Sequence, residues 1–210
     1  MKCFSLYLIF LFLSCGNKED VLLPKSNVVI VSNVEDHSPI YIFFRTKGKD
    51  TLAEVNRKNS IITTNWILNI DKRLPLRLVI PEVMKLQEKK RSEVAHKNEL
   101  AQNYYSYADS IHKNMAFLPF TKVYYEMKKP KFGVNIFFDK NNKISVNGLV
   151  IKKDKLESFL NESIIEKGIN LQFCFSNDLS YGGYIQDEIF IQSLKFSMLN
   201  LNLTNQEFIY

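Results

Sequence analysis

The most informative run of residues in the chain is Asn135-Ile136-Phe137-Phe138-Asp139-Lys140-Asn141-Asn142-Lys143-Ile144-Ser145-Val146-Asn147-Gly148. Apolar and aromatic residues stand on both sides of the polar segment 140–143, and asparagine in such a segment readily adopts a positive φ. The stretch therefore predicts two antiparallel strands, over 132–139 and 144–150, joined by a tight turn. Its last two residues, Asn and Gly, predict a bulge or a second turn.

A helix, a strand, a second helix and a last strand are predicted after this hairpin. Asp154 is placed to cap the first helix. The apolar run 170–176 predicts a buried strand, and Ser180 is placed to cap the second helix. Leucines alternate with polar residues from Leu199 and predict a strand that runs to the C-terminus. The predicted order is β-β-α-β-α-β over residues 130–210.

The residues before this domain predict two further elements. Residues 28–80 are rich in β-branched and aromatic runs and predict a mostly antiparallel β-rich module. Residues 81–114 open with Pro81 and then contain neither Gly nor Pro, which predicts one long helix. Four residues of that helix have the spacing of a packing face: Leu100, Tyr104, Tyr107 and Ile111. The predicted fold class is α+β, with an N-terminal β-rich module, a long helix and the compact C-terminal domain.

The N-terminus predicts a secretory signal peptide over residues 1–14. Lys2 precedes the apolar run 4–13, which as a helix would be about 15 Å long, half of a ~30 Å hydrocarbon core. A run of that length after a basic residue is typical of a signal peptide and too short to span the membrane.

The end of this segment, Phe12-Leu13-Ser14-Cys15, resembles the lipobox of bacterial lipoproteins. In that class the cysteine becomes the first residue of the mature chain and carries lipid on its thiol and amine. The resemblance implies a lipidated Cys15, followed by a tether over 15–27 and then the fold. A plain secretory signal with a nearby cysteine is the alternative.

The residues after Cys15 bear on localisation. Gly16-Asn17-Lys18-Glu19-Asp20 resembles the signal that displays some Gram-negative lipoproteins on the outer face of the outer membrane. Gly16 in the second mature position also fits retention in the outer membrane. We therefore expect a lipid-anchored protein of a Gram-negative outer membrane, on either its periplasmic or its surface face.

We expect no cofactor, and the net charge and the cysteine count decide little about function. The net charge of +6 is spread along the chain and decides little about partners. Once Cys3 is removed and Cys15 is acylated, Cys174 is the one remaining thiol, so no intramolecular disulfide is expected. We expect Cys174 to be packed in a strand, and Asp187-Glu188 to lie on a solvated helix face.

No pattern in the sequence predicts a catalytic, metal or phosphate site. The three histidines, His37, His96 and His112, stand far apart, and there is no His-x-x-x-His, Cys-x-x-Cys or glycine-rich phosphate loop. We therefore expect no enzyme activity, no bound metal and no nucleic-acid partner.

The hairpin, the helix after it and the run Phe175-Ser176-Asn177-Asp178-Leu179-Ser180-Tyr181-Gly182 together resemble the periplasmic domain of ExbD/TolR-type proteins. In that family a strand–turn–strand ending in Asn-Gly precedes the first helix, and Tyr-Gly begins the second. Ser176 stands where the family has an aspartate that ends a strand. The resemblance covers about 130–210 and implies that Tyr181 and Gly182 contact a partner.

The resemblance does not extend to the family's proton-driven motor function. That function depends on an aspartate in a transmembrane helix, and the apolar segment 4–13 contains no carboxylate. The remaining family roles are dimer formation and contact with envelope proteins or with peptidoglycan. A homodimer would form through the strand from Leu199 to Tyr210, which contains no Pro and only one charged residue, Glu207.

Two functions follow as hypotheses. The first is a lipid-anchored, non-enzymatic envelope protein with a partner-binding or scaffolding role. The alternative is a surface lipoprotein that binds an extracellular ligand through the β-rich module, with Tyr41, Phe43 and Trp66 as an exposed aromatic platform.

Overall fold

The computed structural model describes residues 20–94, 98–163, 170–195 and 202–210. The predicted signal peptide, Cys15 and residues 16–19 of the tether lie outside these ranges. In the described residues the chain forms two mixed six-stranded sheets and three α-helices, which confirms the predicted α+β class. No helix in these ranges is long and apolar enough to cross a membrane.

The first half of the chain builds one sheet and one helix. The elements are β1 (Lys25–Ser26), β2 (His37–Lys47), β3 (Asp50–Asn56), β4 (Asn65–Ile70), α1 (Leu76–Ser92), β5 (Asn103–Asp109) and β6 (Met115–Pro119). Strands β2, β4 and β5 run parallel to one another, β3 pairs antiparallel with β2, and β6 pairs antiparallel with β5. The central order of the sheet is β3-β2-β4-β5.

The second half builds the other sheet and two helices. Its elements are β7 (Tyr124–Glu126), β8 (Val134–Phe138), β9 (Ile144–Val146), β10 (Leu149–Ile151), α2 (Leu156–Ser163), β11 (Asn170–Phe175), α3 (Tyr181–Ser193) and β12 (Asn202–Ile209). The strand order in this sheet is β10-β9-β8-β11-β12-β7. Asn147 and Gly148 both have positive φ and form a second turn, so the predicted returning strand is two short strands. Asp154 lies in a 3-10 turn before α2, and Ser180 caps α3 as predicted.

The two halves repeat one arrangement. Each contains an antiparallel hairpin, a strand parallel to its first arm, a helix and a further parallel strand, and the second half adds β10 and α2 between its hairpin and β11. Residues 65–87 and 170–192 correspond at a constant offset, and four identities follow it: Asn65, Leu74, Ile80 and Gln87 recur as Asn170, Leu179, Ile185 and Gln192. The two halves therefore share one order of these elements.

The predicted long helix over 81–114 is wrong. The helix ends at Ser92, and Leu100 and Ile111 of the proposed stripe are exposed. Because neither Gly nor Pro marks the end of the helix, the composition wrongly extends it to Asn114. The buried side chains that follow recur with the period of a strand: Asn103, Tyr105, Tyr107 and Asp109.

The helix also begins earlier than predicted, at Leu76 and not at Pro81. Residues 76–80, which belong to the predicted β-rich module, form the first turn of this helix. The first N–H groups of a helix have no partner within it, and here Leu76 and Arg77 donate to carbonyl oxygens of the second half. This tertiary contact fixes the start of the helix and leaves Pro81 inside it.

Two further regions differ from expectation. Residues 28–31, the start of the predicted β-rich module, form no strand, and Val31 alone makes an isolated bridge with Phe117. The C-terminal strand is not a free edge, because β12 lies between β11 and β7. β7 has three residues and is too short to recognise in the sequence. A homodimer through an open edge of β12 is therefore excluded by this geometry, and the second sheet begins at Tyr124, before residue 130.

Candidate functional site

The two halves meet at the loops that follow β4 and β11. Residues 71–75 and 176–180 run antiparallel to each other, with Pro75 bridged to Ser180. Four backbone N–H groups donate across this junction: Leu76 to Leu179 (2.9 Å), Arg77 to Asn177 (2.8 Å), Tyr181 to Leu74 (2.7 Å) and Gly182 to Lys72 (3.0 Å). The first turns of α1 and α3 are therefore held by the opposite half of the chain.

The predicted partner-binding residues Tyr181 and Gly182 lie inside this junction. Tyr181 is fully buried, with its ring edge-on to Tyr105. A Cβ on Gly182 would lie 3.1 Å from Cβ and 3.3 Å from the carbonyl oxygen of Lys72, so the close approach of the loops needs a glycine. The two residues thus contact the other half of the same chain, and the side chain of Tyr181 is not exposed to a second protein.

Ion pairs flank the junction on both sides. Arg77 pairs with Asp178 across the two halves. The buried carboxylate of Asp71 accepts two hydrogen bonds from the Arg73 guanidinium, at 2.8 and 2.7 Å, and one from the N–H of Leu22. Burial raises the pKa of Asp71, but the bonds from Arg73 and Leu22 outweigh it and hold that pKa below its usual value.

A chain of buried hydroxyl groups joins the halves beneath the junction. The Tyr105 hydroxyl of β5 lies 2.7 Å from that of Tyr125, which lies 3.1 Å from that of Tyr184 on α3. Tyr184 in turn donates to the Glu207 carboxylate on β12 at 2.7 Å. This hydroxyl chain ends at the buried carboxyl group of Glu207, so its hydrogen bonding is sensitive to the protonation of that group.

Two glutamates at the Glu207 end of the hydroxyl chain have raised pKa values. Burial raises the pKa of Glu207 to about 7, although the hydrogen bond from Tyr184 lowers it. Burial, and then the charges of Glu207 and Asp187, raise the pKa of Glu188 well above its ordinary value. The expected solvated face at Asp187-Glu188 is wrong, because Asp187 is fully buried and bonded to the Lys153 ammonium at 2.8 Å.

Two open grooves lie along the seams between the halves. One, of about 590 Å³, lies between α1 and the edge strand β7, with Met84, Lys85 and Tyr124 among its lining residues. The other, of about 550 Å³, lies between α3 and the segment 25–28 of the first half. Each groove is formed by the helix of one half and residues of the other half's sheet region.

The predicted aromatic platform is not formed. Trp66 and Phe43 are 1% and 4% exposed, and Trp66 lies in the main hydrophobic core. The Lys90 ammonium lies over the Trp66 ring and donates to the carbonyl oxygens of Thr64 and Gln102. Only Tyr41 of the three is exposed, so the alternative function loses the surface on which it depended.

The remaining candidate groups have structural environments. Cys174 is buried, as predicted, and burial raises the pKa of its thiol to about 12, which leaves it unreactive at neutral pH. His112 bonds Asp109 at 2.7 Å and His37 bonds a carbonyl oxygen, while His96 lies outside the described residues. Within those residues no three metal-ligating side chains come together.

No protein-family model, no curated protein and no solved structure matches this chain. The junction, the hydroxyl chain and the grooves were all missed in the sequence. The sequence signal that bears on them is the set of four identities between residues 65–87 and 170–192, since a repeated unit implies a surface between its two copies.

The buried Glu207 predicts a pH-dependent stability. Between pH about 4.5 and about 7 the folded state keeps a proton on Glu207 that the unfolded chain releases, so the stability that Glu207 contributes is fully present below about 4.5, the ordinary pKa of glutamate. The free energy of unfolding is expected to fall as the pH rises towards about 7, by up to about 1.4 kcal/mol per pH unit. Glu207→Gln still accepts the Tyr184 bond and should flatten this slope in urea titrations at several pH values.

Glu88→Gln is the matched control, because Glu88 is exposed on α1. It should leave the slope of stability against pH unchanged. If the Glu207→Gln protein has the same slope of stability against pH as the unmodified protein, the pH dependence does not come from Glu207.

Proposed function

We propose that this chain is a lipid-anchored cell-envelope protein that acts by binding another envelope protein. The observation that carries the proposal is the pair of grooves at the seams between the two halves. The proposal assigns the predicted lipid to Cys15 and gives the described fold no catalytic role.

The groove between α1 and β7 has the character of a protein-binding surface. Met84 and Tyr124 contribute apolar area, and charged side chains of both signs surround them, which is the composition of many protein interfaces. The Tyr124 ring is held beneath the Arg91 guanidinium, at 4.1 Å, and is thus positioned in advance of binding. β7 is an edge strand, and its outer backbone groups are available to a partner in extended conformation.

The resemblance to ExbD/TolR periplasmic domains supports a scaffold of this kind. In that family a role in the envelope is exerted by domains that pair with one another. Here the topology repeats within one chain, and Asp71 follows β4 where Ser176 follows β11. We infer that the chain carries two such units already paired, so that its grooves and not Tyr181 and Gly182 meet the partner.

The groove predicts where a partner can be trapped in cells. A photo-crosslinking residue in place of Tyr124 or Lys85 should give one common adduct, because both positions line the same groove. The same residue in place of the exposed Lys58, on the loop after β3, serves as the control and should give none. Adducts are read on immunoblots of irradiated intact cells and identified by mass spectrometry.

Two outcomes would contradict the groove as the binding site. One is the absence of any adduct from Tyr124 and Lys85 in the native envelope. The other is the same set of adducts from Lys58, which would indicate chance collisions.

The anchor makes a separate prediction. Cys15→Ser should abolish palmitate labelling and move the protein to the soluble fraction, because no second thiol stands at the cleavage junction. Several acyl chains hold a protein firmly at about 0.8 kcal/mol per buried CH₂, whereas a protein without them has no such attachment. Unchanged partitioning of the Cys15→Ser protein into detergent would rule out the lipid anchor.

A further inference from the structure

We propose that the end of the fold where the tether emerges is a second membrane-contact surface, which binds anionic lipid headgroups through Lys72, Lys140 and Lys143. The orientation of this surface towards the membrane rests on the proposed lipid anchor at Cys15. The affinity of the three lysines for an anionic surface does not depend on the anchor and can be measured without it.

The tether brings this end of the fold close to its anchor. The carbonyl oxygen of Leu22 accepts a hydrogen bond from the N–H of Lys72 at 2.8 Å, and Leu22 itself donates to Asp71. From Cys15 to Leu22 there are seven residues, which span at most about 25 Å when fully extended. A lipidated Cys15 would therefore hold the loop after β4 within about 25 Å of the membrane.

The three lysines gather around the start of α3. Lys72 lies against Gly182, as the 3.1 Å separation of their Cβ positions requires. A Cβ on the neighbouring Gly183 would lie 3.1 Å from Oδ1 of Asn142, so the β8–β9 turn reaches the same helix start. Lys140 and Lys143 lie on that turn and are exposed.

The charges at this end leave the lysines available. Asp71 is bonded to Arg73, Asp178 to Arg77, and Asp139 accepts backbone N–H groups of its own turn at 2.7 and 2.8 Å. Asp20, Asp50 and Asp154 are exposed carboxylates at this end of the fold. In the part of the chain that the structure describes, none of the three lysine ammonium groups has a hydrogen-bond or ion-pair partner: Lys72, Lys140 and Lys143.

A cluster of this size suits a weak contact that reinforces an anchor. Each lysine near an anionic membrane contributes about 1 kcal/mol, or roughly fivefold in binding. Three lysines would give about a hundredfold, and the tether would multiply the effect by keeping them close to the surface. The contribution is screened beyond about 10 Å at 0.1 M salt, so the contact requires a short tether between Cys15 and the fold.

The test uses the mature chain with Cys15→Ser, so that lipidation does not enter. Its binding to vesicles of phosphatidylglycerol and phosphatidylcholine is measured by co-sedimentation at low salt, against vesicles of phosphatidylcholine alone. The triple variant Lys72→Gln, Lys140→Gln, Lys143→Gln should bind the anionic vesicles about a hundredfold more weakly. A control triple variant places glutamine at the opposite ends of the strands: Lys58, Lys122 and Lys131.

We expect the control variant to bind like the parent protein, and both triple variants to keep the parent's thermal midpoint. Equal loss in the two variants, or no preference for anionic vesicles, would overturn the proposal. So would displacement by millimolar inorganic phosphate at matched ionic strength, which would indicate a phosphate pocket. The two proposals are tested separately. A negative vesicle result does not bear on the lipid anchor at Cys15, and a negative result for the anchor does not bear on vesicle binding by the three lysines.

Discussion

The structure depends on four backbone hydrogen bonds that cross between the loops after β4 and β11. The first N–H groups of a helix normally donate hydrogen bonds to water or to a capping side chain. In α1 and α3 two of these groups each donate instead to the opposite loop. This exchange fixes where both helices begin, brings the halves together at Gly182, and places Tyr105 against Tyr125 and Tyr184 in one continuous core.

The second half is where sequence reasoning succeeds, because its signals are local. The turn 140–143, the Ser180 cap and the apolar run of β11 each carry their own information within a few residues. The first half fails for the opposite reason. The start of α1 is set by carbonyl oxygens about a hundred residues away, and the tyrosines of β5 happen to combine a helical spacing with the period of a buried strand.

The candidate site could not be read directly from the sequence, since each part needs the junction. The sequence singles out Tyr181 and Gly182 as contacts to a partner protein, and in the structure both contact the first half of the same chain. Glu207 looked like the single charge on an exposed strand, and it is instead the buried end of the hydroxyl chain because β7 covers that edge. The proposed partner binding therefore lies at the seams, and the proposed membrane contact lies at the end of the fold beside the tether.

Amide hydrogen exchange followed by NMR tests the central claim most directly. If the two halves are held by the cross-junction bonds, the amides of Leu76, Arg77, Tyr181 and Gly182 open only when the halves separate. These amides should exchange as slowly as those of the central strands β4 and β11. Exchange at the fast rates of ordinary solvent-facing first-turn amides would contradict this, because the cross-junction bonds would then not hold the starts of the two helices.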